Sequence, residues 1–211
     1  MTKPVIGIIG AGKVGIVLAQ LARNAGYHVY ISGSGSPSKI ALTVSVLVPG
    51  AIAATSQDVA TKADIIIAAI PLGKYAELPK TELAGKIVID SMNYWWEVDG
   101  DRPDSTSKET PSSVVVQNFL TESNVVKSFS HIGYHDLYDE TRPVGSVDRK
   151  AVAVAGNDTS AVEAVCAVVN DFGFDPVIIG TLQNISALQP GGPVFGAHVD
   201  AAYLKSLLHV V

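Results

Sequence analysis

The sequence predicts an α/β fold, a doubly wound and mainly parallel sheet with a short C-terminal extension, and three observations predict it. Short runs rich in valine and isoleucine recur from the N-terminus, separated by stretches whose apolar residues are spaced by three and four, the pattern of repeated βαβ units. Hydrophobic residues make up 47% of the chain and charged residues 17%, a balance that suits a sheet covered on both faces. A glycine-rich turn joins the first apolar run to the first helical stretch.

Taken in order, the runs predict strands at 5–9, 28–32, 65–69, 86–90, 125–129, 151–155 and 175–179, with a shorter one near 51–55. Helices fit at 13–24, 38–47, 56–63, 111–122 and 159–172. Gly12 opens the first helix, and Gly26 follows it where a left-handed C-cap is wanted. The least regular stretch, 94–110, holds Arg102-Pro103 and a serine/threonine cluster and reads as a long surface loop bordering a site. Its acids Asp99, Asp101 and Asp104 lack the spacing of a calcium loop, so they read as solvated. A chain of 211 residues is one globular unit on these grounds, with a core over 1–180 and an extension over 181–211.

The net charge of -5 offers no positive field for nucleic acid or an anionic membrane, which leaves small molecules as the expected partners. The single cysteine, Cys166, lies in an apolar run and reads as an inert, buried thiol. The N-terminus has no signal-peptide pattern and no apolar stretch approaches a membrane span, so a cytoplasmic location is expected.

Gly10-Ala11-Gly12-Lys13-Val14-Gly15 is a G-x-G-x-x-G placed after a strand and at the start of a helix. In that context Gly10 makes the sharp turn, Gly12 admits a pyrophosphate close to the backbone, and Gly15 lets helix and strand pack. The first-turn N–H groups of the helix then meet the phosphates, the arrangement of a Rossmann-type dinucleotide site. The second strand indicates which nucleotide. An enzyme that binds the ribose 2′-OH places Asp or Glu about 20 residues past the turn. Residues 1–57 contain no acid, while they carry Lys3, Lys13, Arg23 and Lys39. Gly33, Ser34, Lys39 and the intervening serines can wrap a 2′-phosphate, which favours NADP, with NAD as the alternative should this loop be indifferent to the phosphate.

Three further segments are expected at the carboxyl ends of the central strands. Pro71 and its successors either cover the nicotinamide or simply connect. Asn93 and the aromatics Tyr94, Trp95 and Trp96 form either a wall for a planar substrate or core and subunit packing. His131 and His135 lie past a strand end, where His131 is either a substrate contact or a satisfied structural histidine. No histidine or cysteine spacing makes a metal site.

The glycine turn, Ala69-Ile70-Pro71, Ile89-Asp90-Ser91-Met92-Asn93-Tyr94, Val125-Val126-Lys127-Ser128-Phe129 with His131-Ile132, and Val154-Ala155-Gly156-Asn157-Asp158 occur in that order. This ordered set resembles the family of deazaflavin-dependent NADP oxidoreductases, also called NADPH:coenzyme F-420 reductases, over essentially the whole chain. The resemblance implies hydride transfer between the nicotinamide and a stacked deazaflavin or flavin, a step that needs alignment of two rings and no side-chain nucleophile. It implies phosphate contacts at Ala11, Gly12, Lys13 and Val14, beside the turn made at Gly10. Ribose and 2′-phosphate contacts fall at Gly33 and Ser34, and nicotinamide-side contacts at Pro71, Leu72, Ile132, Gly133 and Tyr134. It names no catalytic base and implies a homodimer, while Asn93, Trp95 and His131 stand as substrate-side candidates by their place past the strand ends. Where the family usually carries an arginine after the second strand, this chain has Ser34-Gly35, leaving Lys39 and the serine hydroxyls to meet a 2′-phosphate. Two other readings stand beside this one: a reductase of a small imine or carbonyl, as pyrroline-carboxylate reductases are, and a non-catalytic NADPH sensor. The first is disfavoured because those enzymes build their substrate site from a long helical C-terminal region.

Overall fold

A computed structural model describes residues 3–99 and 110–209. The strands are β1 (Ile6–Ile9), β2 (Val29–Ser32), β3 (Ile52–Ala53), β4 (Ile65–Ala68), β5 (Ile87–Asp90), β6 (Asn124–Lys127), β7 (Ala151–Gly156) and β8 (Asp175–Ile178). They form one sheet in the order β3-β2-β1-β4-β5-β6-β7-β8. Strands β1 to β6 pair in parallel, β7 meets β6 antiparallel, and β8 lies parallel to β7. Every residue of β1 and β4 is buried, as expected of central strands packed on both faces. The chain winds outward from β1 to β3 and then returns to the other side of β1 at β4. That reversal opens a crevice past the carboxyl ends of these two strands.

The helices follow the sequence pattern closely: α1 (Lys13–Asn24), α2 (Ser38–Leu47), α3 (Ser56–Lys62), α5 (Ser112–Phe119) and α7 (Thr159–Asp171). Gly26 takes φ +83° and closes α1 as expected, with Tyr27 N donating to Ala22 O at 2.9 Å. Elements that periodicity did not reveal are the 3₁₀ turns η1 (Leu72–Glu77) and η2 (Leu182–Leu188), and the helices α4 (Trp96–Asp99), α6 (Tyr134–Asp139) and α8 (Ala201–Leu208). The first four are a turn or two long, too short for an apolar stripe to register. Two core clusters lie on the two faces of the sheet, around α1 and α7 on one and around α3 and α5 on the other. A third joins β7 and β8 to η2 and α8, so the C-terminal extension is packed onto the sheet. Cys166 is half-buried on α7, where burial pushes its thiol up.

Asp101, Arg102, Pro103 and Asp104 lie outside the described residues. Asp99 does not behave as a solvated acid. Its Oδ1 accepts from Gly73 N at 2.6 Å and its Oδ2 from Trp95 N at 2.8 Å, tying α4 to the start of η1. Among the described residues no helix is long and apolar enough to cross a membrane.

Candidate dinucleotide and acceptor site

The glycine turn occupies the crevice. Gly10 has φ +119°, and a Cβ there would lie 2.3 Å from Ala69 O. A Cβ on Gly15 would lie 1.8 Å from Gly10 O, so helix and turn can meet only with glycine at both positions. A Cβ on Gly12 would meet nothing within 4 Å, which leaves free the space that a pyrophosphate requires. Helix α1 has no side-chain N-cap and no acid in its first turn, so its opening N–H groups face that space uncompensated. These residues fit a dinucleotide diphosphate.

Two cavities meet along Gly12 and residues 69–71. The first, about 540 Å³, is bounded by Ala11, by residues 33–35, and by Ser56 across from them. Gly33 and Ser34 thus line the same cavity as the glycine turn. Lys39 is absent from the wall itself but folds its Nζ to 3.3 Å from where a Gly35 Cβ would be, at the cavity rim. Ser36 Oγ and Ser38 Oγ share a hydrogen bond of 2.8 Å beside it. Lys74 and Glu77 also border this cavity, both delivered by η1. Lys74 stood in the sequence only among the successors of Pro71, and Glu77 lies beyond the acid-free stretch 1–57; their i, i+3 spacing within the 3₁₀ turn was the available signal.

The second cavity, about 550 Å³, lies past β4 and β5. Its walls include Lys13 and Val14 from α1, Pro71, Asn93, Trp95 and Tyr134. Trp95 is held edge-on against Phe195, ring centres 5.6 Å apart, so the C-terminal extension supports this wall. Leu72, expected on the nicotinamide side, is 1% exposed and sits in the core, because the 3₁₀ turn following Pro71 directs it inward. Ile132 and Gly133 line none of the cavities described here. Ile132 is buried in the core, Gly133 caps α6, and of that trio only Tyr134 reaches the cleft.

His131 is corrected as well. It is 1% exposed, and its Nε2 accepts a hydrogen bond from Ala153 N at 3.0 Å, completing the top of β7. Burial pushes its pKa down to about 4, so the ring is neutral at neutral pH, with its proton on Nδ1. Of the two alternatives it is the structural histidine: it lines neither cavity, its Nε2 is bonded, and its buried Nδ1 has no hydrogen-bond partner among the described residues.

A buried polar group lies directly beneath the second cavity. Asp90 and Lys127 end β5 and β6, both fully buried, with Lys127 Nζ 3.5 Å from Asp90 Oδ2. Ser113 Oγ donates to the same Oδ2 at 2.5 Å. Asp90 Oδ1 accepts from Met92 N at 2.9 Å, while Lys127 Nζ donates to Met92 O. The ion pair thus holds both polar groups of Met92. Ser91 Oγ donates to Ala68 O at 2.7 Å and Asn93 Nδ2 to Ser130 O at 2.6 Å, which ties down residues 91–93 while Asn93 Oδ1 has no hydrogen-bond partner among the described residues. Desolvation lowers the Lys127 pKa, and the neighbouring Asp90 carboxylate opposes that effect. A single charge ending each of two otherwise apolar runs was the signal in the sequence.

Comparison with known proteins places these observations. Among solved structures, hypothetical protein SMa0349 of Sinorhizobium meliloti superposes with a TM-score of 0.81 at 24% identity, covering 93% of this chain and 95% of that one. A candidate F420-dependent NADP reductase from Arthrobacter sp. FB24 superposes with a TM-score of 0.73 at 21% identity, covering 99% and 96%. At these identities the likeness is one of fold. The Escherichia coli K12 protein YjhV is 43% identical over 67 residues, a match spanning 31% of this chain and about half, 49%, of that protein. Residues 5–94, which carry the glycine turn, the crevice strands and Asn93, match the family described as NADP oxidoreductase, coenzyme F420-dependent. The similarity to that family extends over residues 5–94.

Proposed function

We propose that the protein is an NADP(H)-dependent oxidoreductase that passes a hydride between the nicotinamide and a flat redox acceptor of the deazaflavin or flavin type. The observation that carries this reading is the meeting of two cavities along Gly12 and residues 69–71, one suited to the adenosine half of a dinucleotide and one to a planar ring. When bound, the nucleotide supplies the hydride at C4 of its nicotinamide. The chain supplies position. The opening turn of α1 holds the diphosphate, Pro71 and Val14 shape the passage between the cavities, and the clamped segment 91–93 with Trp95 and Tyr134 forms the far wall.

No acid or base is required of the protein, and both oxygens of Asp99, the carboxylate on this cavity, are already engaged by backbone N–H groups. Preference for NADP over NAD is supported by the acid-free second strand and by Lys39 at the rim beside Gly35; Glu77 on the opposite wall is accompanied by Lys74. We assign the same site to an enzyme acting on small molecules in the cytoplasm, as a homodimer.

The test mixes purified protein with NADPH or NADH and a panel of deazaflavin, flavin and quinone acceptors while nicotinamide absorbance is followed. Turnover with NADPH at a lower KM than NADH is expected. Tight NADPH binding without turnover of any acceptor would instead favour the sensor, and absence of binding by either nucleotide at millimolar concentration in calorimetry would overturn the reading altogether.

A further inference from the structure

The adenosine cavity is lined by one carboxylate, Glu77, and one ammonium, Lys74, three residues apart on η1. Both residues are exposed, no ion pair joins them, and neither side chain has a hydrogen-bond partner among the described residues. The two other polar side chains on this wall differ. Ser56 Oγ shares a hydrogen bond of 3.1 Å with Ser32 Oγ, and Ser34 belongs to the 33–35 loop that Lys39 approaches at Gly35. Strand β1 lies between β2 and β4, so the 33–35 loop and η1 flank the glycine turn on opposite sides.

We propose that Glu77 reads the base of the nucleotide, its carboxylate accepting a hydrogen bond from the 6-amino group of adenine. The inference rests on the preceding assignment of this cavity to the adenosine half and adds base recognition to it.

A carboxylate accepts hydrogen bonds and donates none. The phosphates of the nucleotide repel it, so its partner is a donor of the adenosine half, either a ribose hydroxyl or the 6-amino group. Connectivity chooses between them. With the diphosphate at Gly12 and the 2′-phosphate beside Ser34 and Lys39, the ribose, bonded to both, is held on the 33–35 side. The base is the part left to cross the cavity toward η1. Its path suits a flat ring, because an apolar side chain stands on each flank. Ile40 Cγ2 lies 2.8 Å from where a Gly33 Cβ would be, and Ile70 Cγ2 lies 3.2 Å from where a Gly10 Cβ would be. At the far end the unengaged carboxylate meets the exocyclic amine. Lys74 offsets its charge, so that wall does not repel a polyanionic ligand.

The test is calorimetric binding of NADP⁺, NAD⁺ and an NADP⁺ analogue with hydrogen in place of the 6-amino group, on wild type, Glu77→Ala and Glu77→Gln. On wild type the analogue should bind about five- to tenfold more weakly than NADP⁺, the worth of one exposed charge-assisted hydrogen bond. On Glu77→Ala, NADP⁺ should fall to the level of its analogue. On Glu77→Gln, whose amide oxygen still accepts, the difference should return in part. Equal binding of NADP⁺ and the analogue by wild type overturns the base contact and leaves the hydride-transfer reading intact. A penalty that persists undiminished in Glu77→Ala gives the amine another partner and overturns it too. Tighter NADP⁺ binding by Glu77→Ala puts the carboxylate beside a phosphate, and a loss confined to NAD⁺ puts it on the ribose 2′-hydroxyl; either result overturns the proposal. Failure of wild type to bind any of the three overturns the assignment of the cavity itself.

Discussion

Replacing Lys127 by methionine removes one half of an ion pair whose two side chains have no solvent exposure, and the consequence can be worked from the contacts around it. Asp90 keeps Ser113 Oγ at 2.5 Å and Met92 N at 2.9 Å, but its charge is left in the core without a cation, while Met92 O loses its donor. Breaking a buried pair from one side costs about 3–5 kcal/mol. The double variant Lys127→Met/Asp90→Asn has no stranded charge, and the asparagine oxygen still accepts from Met92 N. What remains is the orphaned Met92 carbonyl, about 1–3 kcal/mol. The double variant should therefore be more stable than Lys127→Met alone by about 2 kcal/mol, and its loss should fall well short of the sum of the two single losses in a double-mutant cycle. Urea unfolding at neutral pH of wild type, both singles and the double measures it. Additive losses, with coupling near zero, would refute the claim that Asp90 and Lys127 act as one clamp on Met92. Acceptor kinetics add a functional readout: in the double variant KM should rise for the acceptor more than for NADPH, because residues 91–93 wall only the second cavity.

Gly12→Ala and Gly15→Ala should separate folding from binding. The first adds a methyl to open space and should change unfolding free energy by less than about 1 kcal/mol while lowering NADPH affinity more than about tenfold in calorimetry. The second drives a methyl into Gly10 O and should lower Tm as well as affinity. His131 predicts a pH dependence of stability. Its pKa is about 4 in the folded chain and near 6.5 unfolded, so the unfolded state binds the extra proton. Its contribution, about 3 kcal/mol, is complete above pH ~6.5, falls as pH drops toward 4 and is gone below that. In His131→Gln, this segment of the stability-pH curve should flatten; an unchanged slope would contradict the neutral, buried assignment. Lys39→Ala should weaken NADPH binding up to about tenfold with little effect on NADH, since an exposed charge-assisted contact is worth about 1 kcal/mol; equal losses for both nucleotides would remove Lys39 from 2′-phosphate recognition.

The regular part of the fold was legible because its signals are repetitive. The Val/Ile runs gave the strands to within a residue or two, and Lys13–Asn24 and Ser38–Leu47 emerge with the expected bounds. The glycine turn was equally legible, since Gly10 and Gly15 answer steric demands of the fold that no other residue meets and Gly12 leaves open space at the helix start. Side-chain direction was not. Leu72 follows Pro71 directly, yet a 3₁₀ turn sends the two to opposite environments, and no apolar period exists over so short a segment to reveal it. His131 and Tyr134 are three residues apart on the same connection, but one completes the edge of β7 and the other borders the cleft. That division depends on β7 running antiparallel to β6, a long-range choice that leaves no local trace.

The reversed strand also explains why the C-terminal extension matters to the site. Because β7 is antiparallel to β6, its amino end, not its carboxyl end, lies alongside the chain leaving β6 toward the cleft. The carboxyl ends of β7 and β8 therefore point away and contribute no loops to the crevice. The opening past β6 is instead closed by the 194–197 segment, where Gly196 N donates to His131 O at 2.7 Å and Phe195 braces Trp95. His131 thus joins three pieces, the end of β6, the start of β7 and the returning extension. Protonating it would place an N–H opposite the N–H of Ala153 and break the first of these contacts. If that junction supports the Trp95 wall, acid should weaken acceptor binding before global unfolding, and Phe195→Ala should do the same at neutral pH while NADPH affinity holds. A Phe195→Ala protein with wild-type acceptor KM would show that the wall stands without the extension.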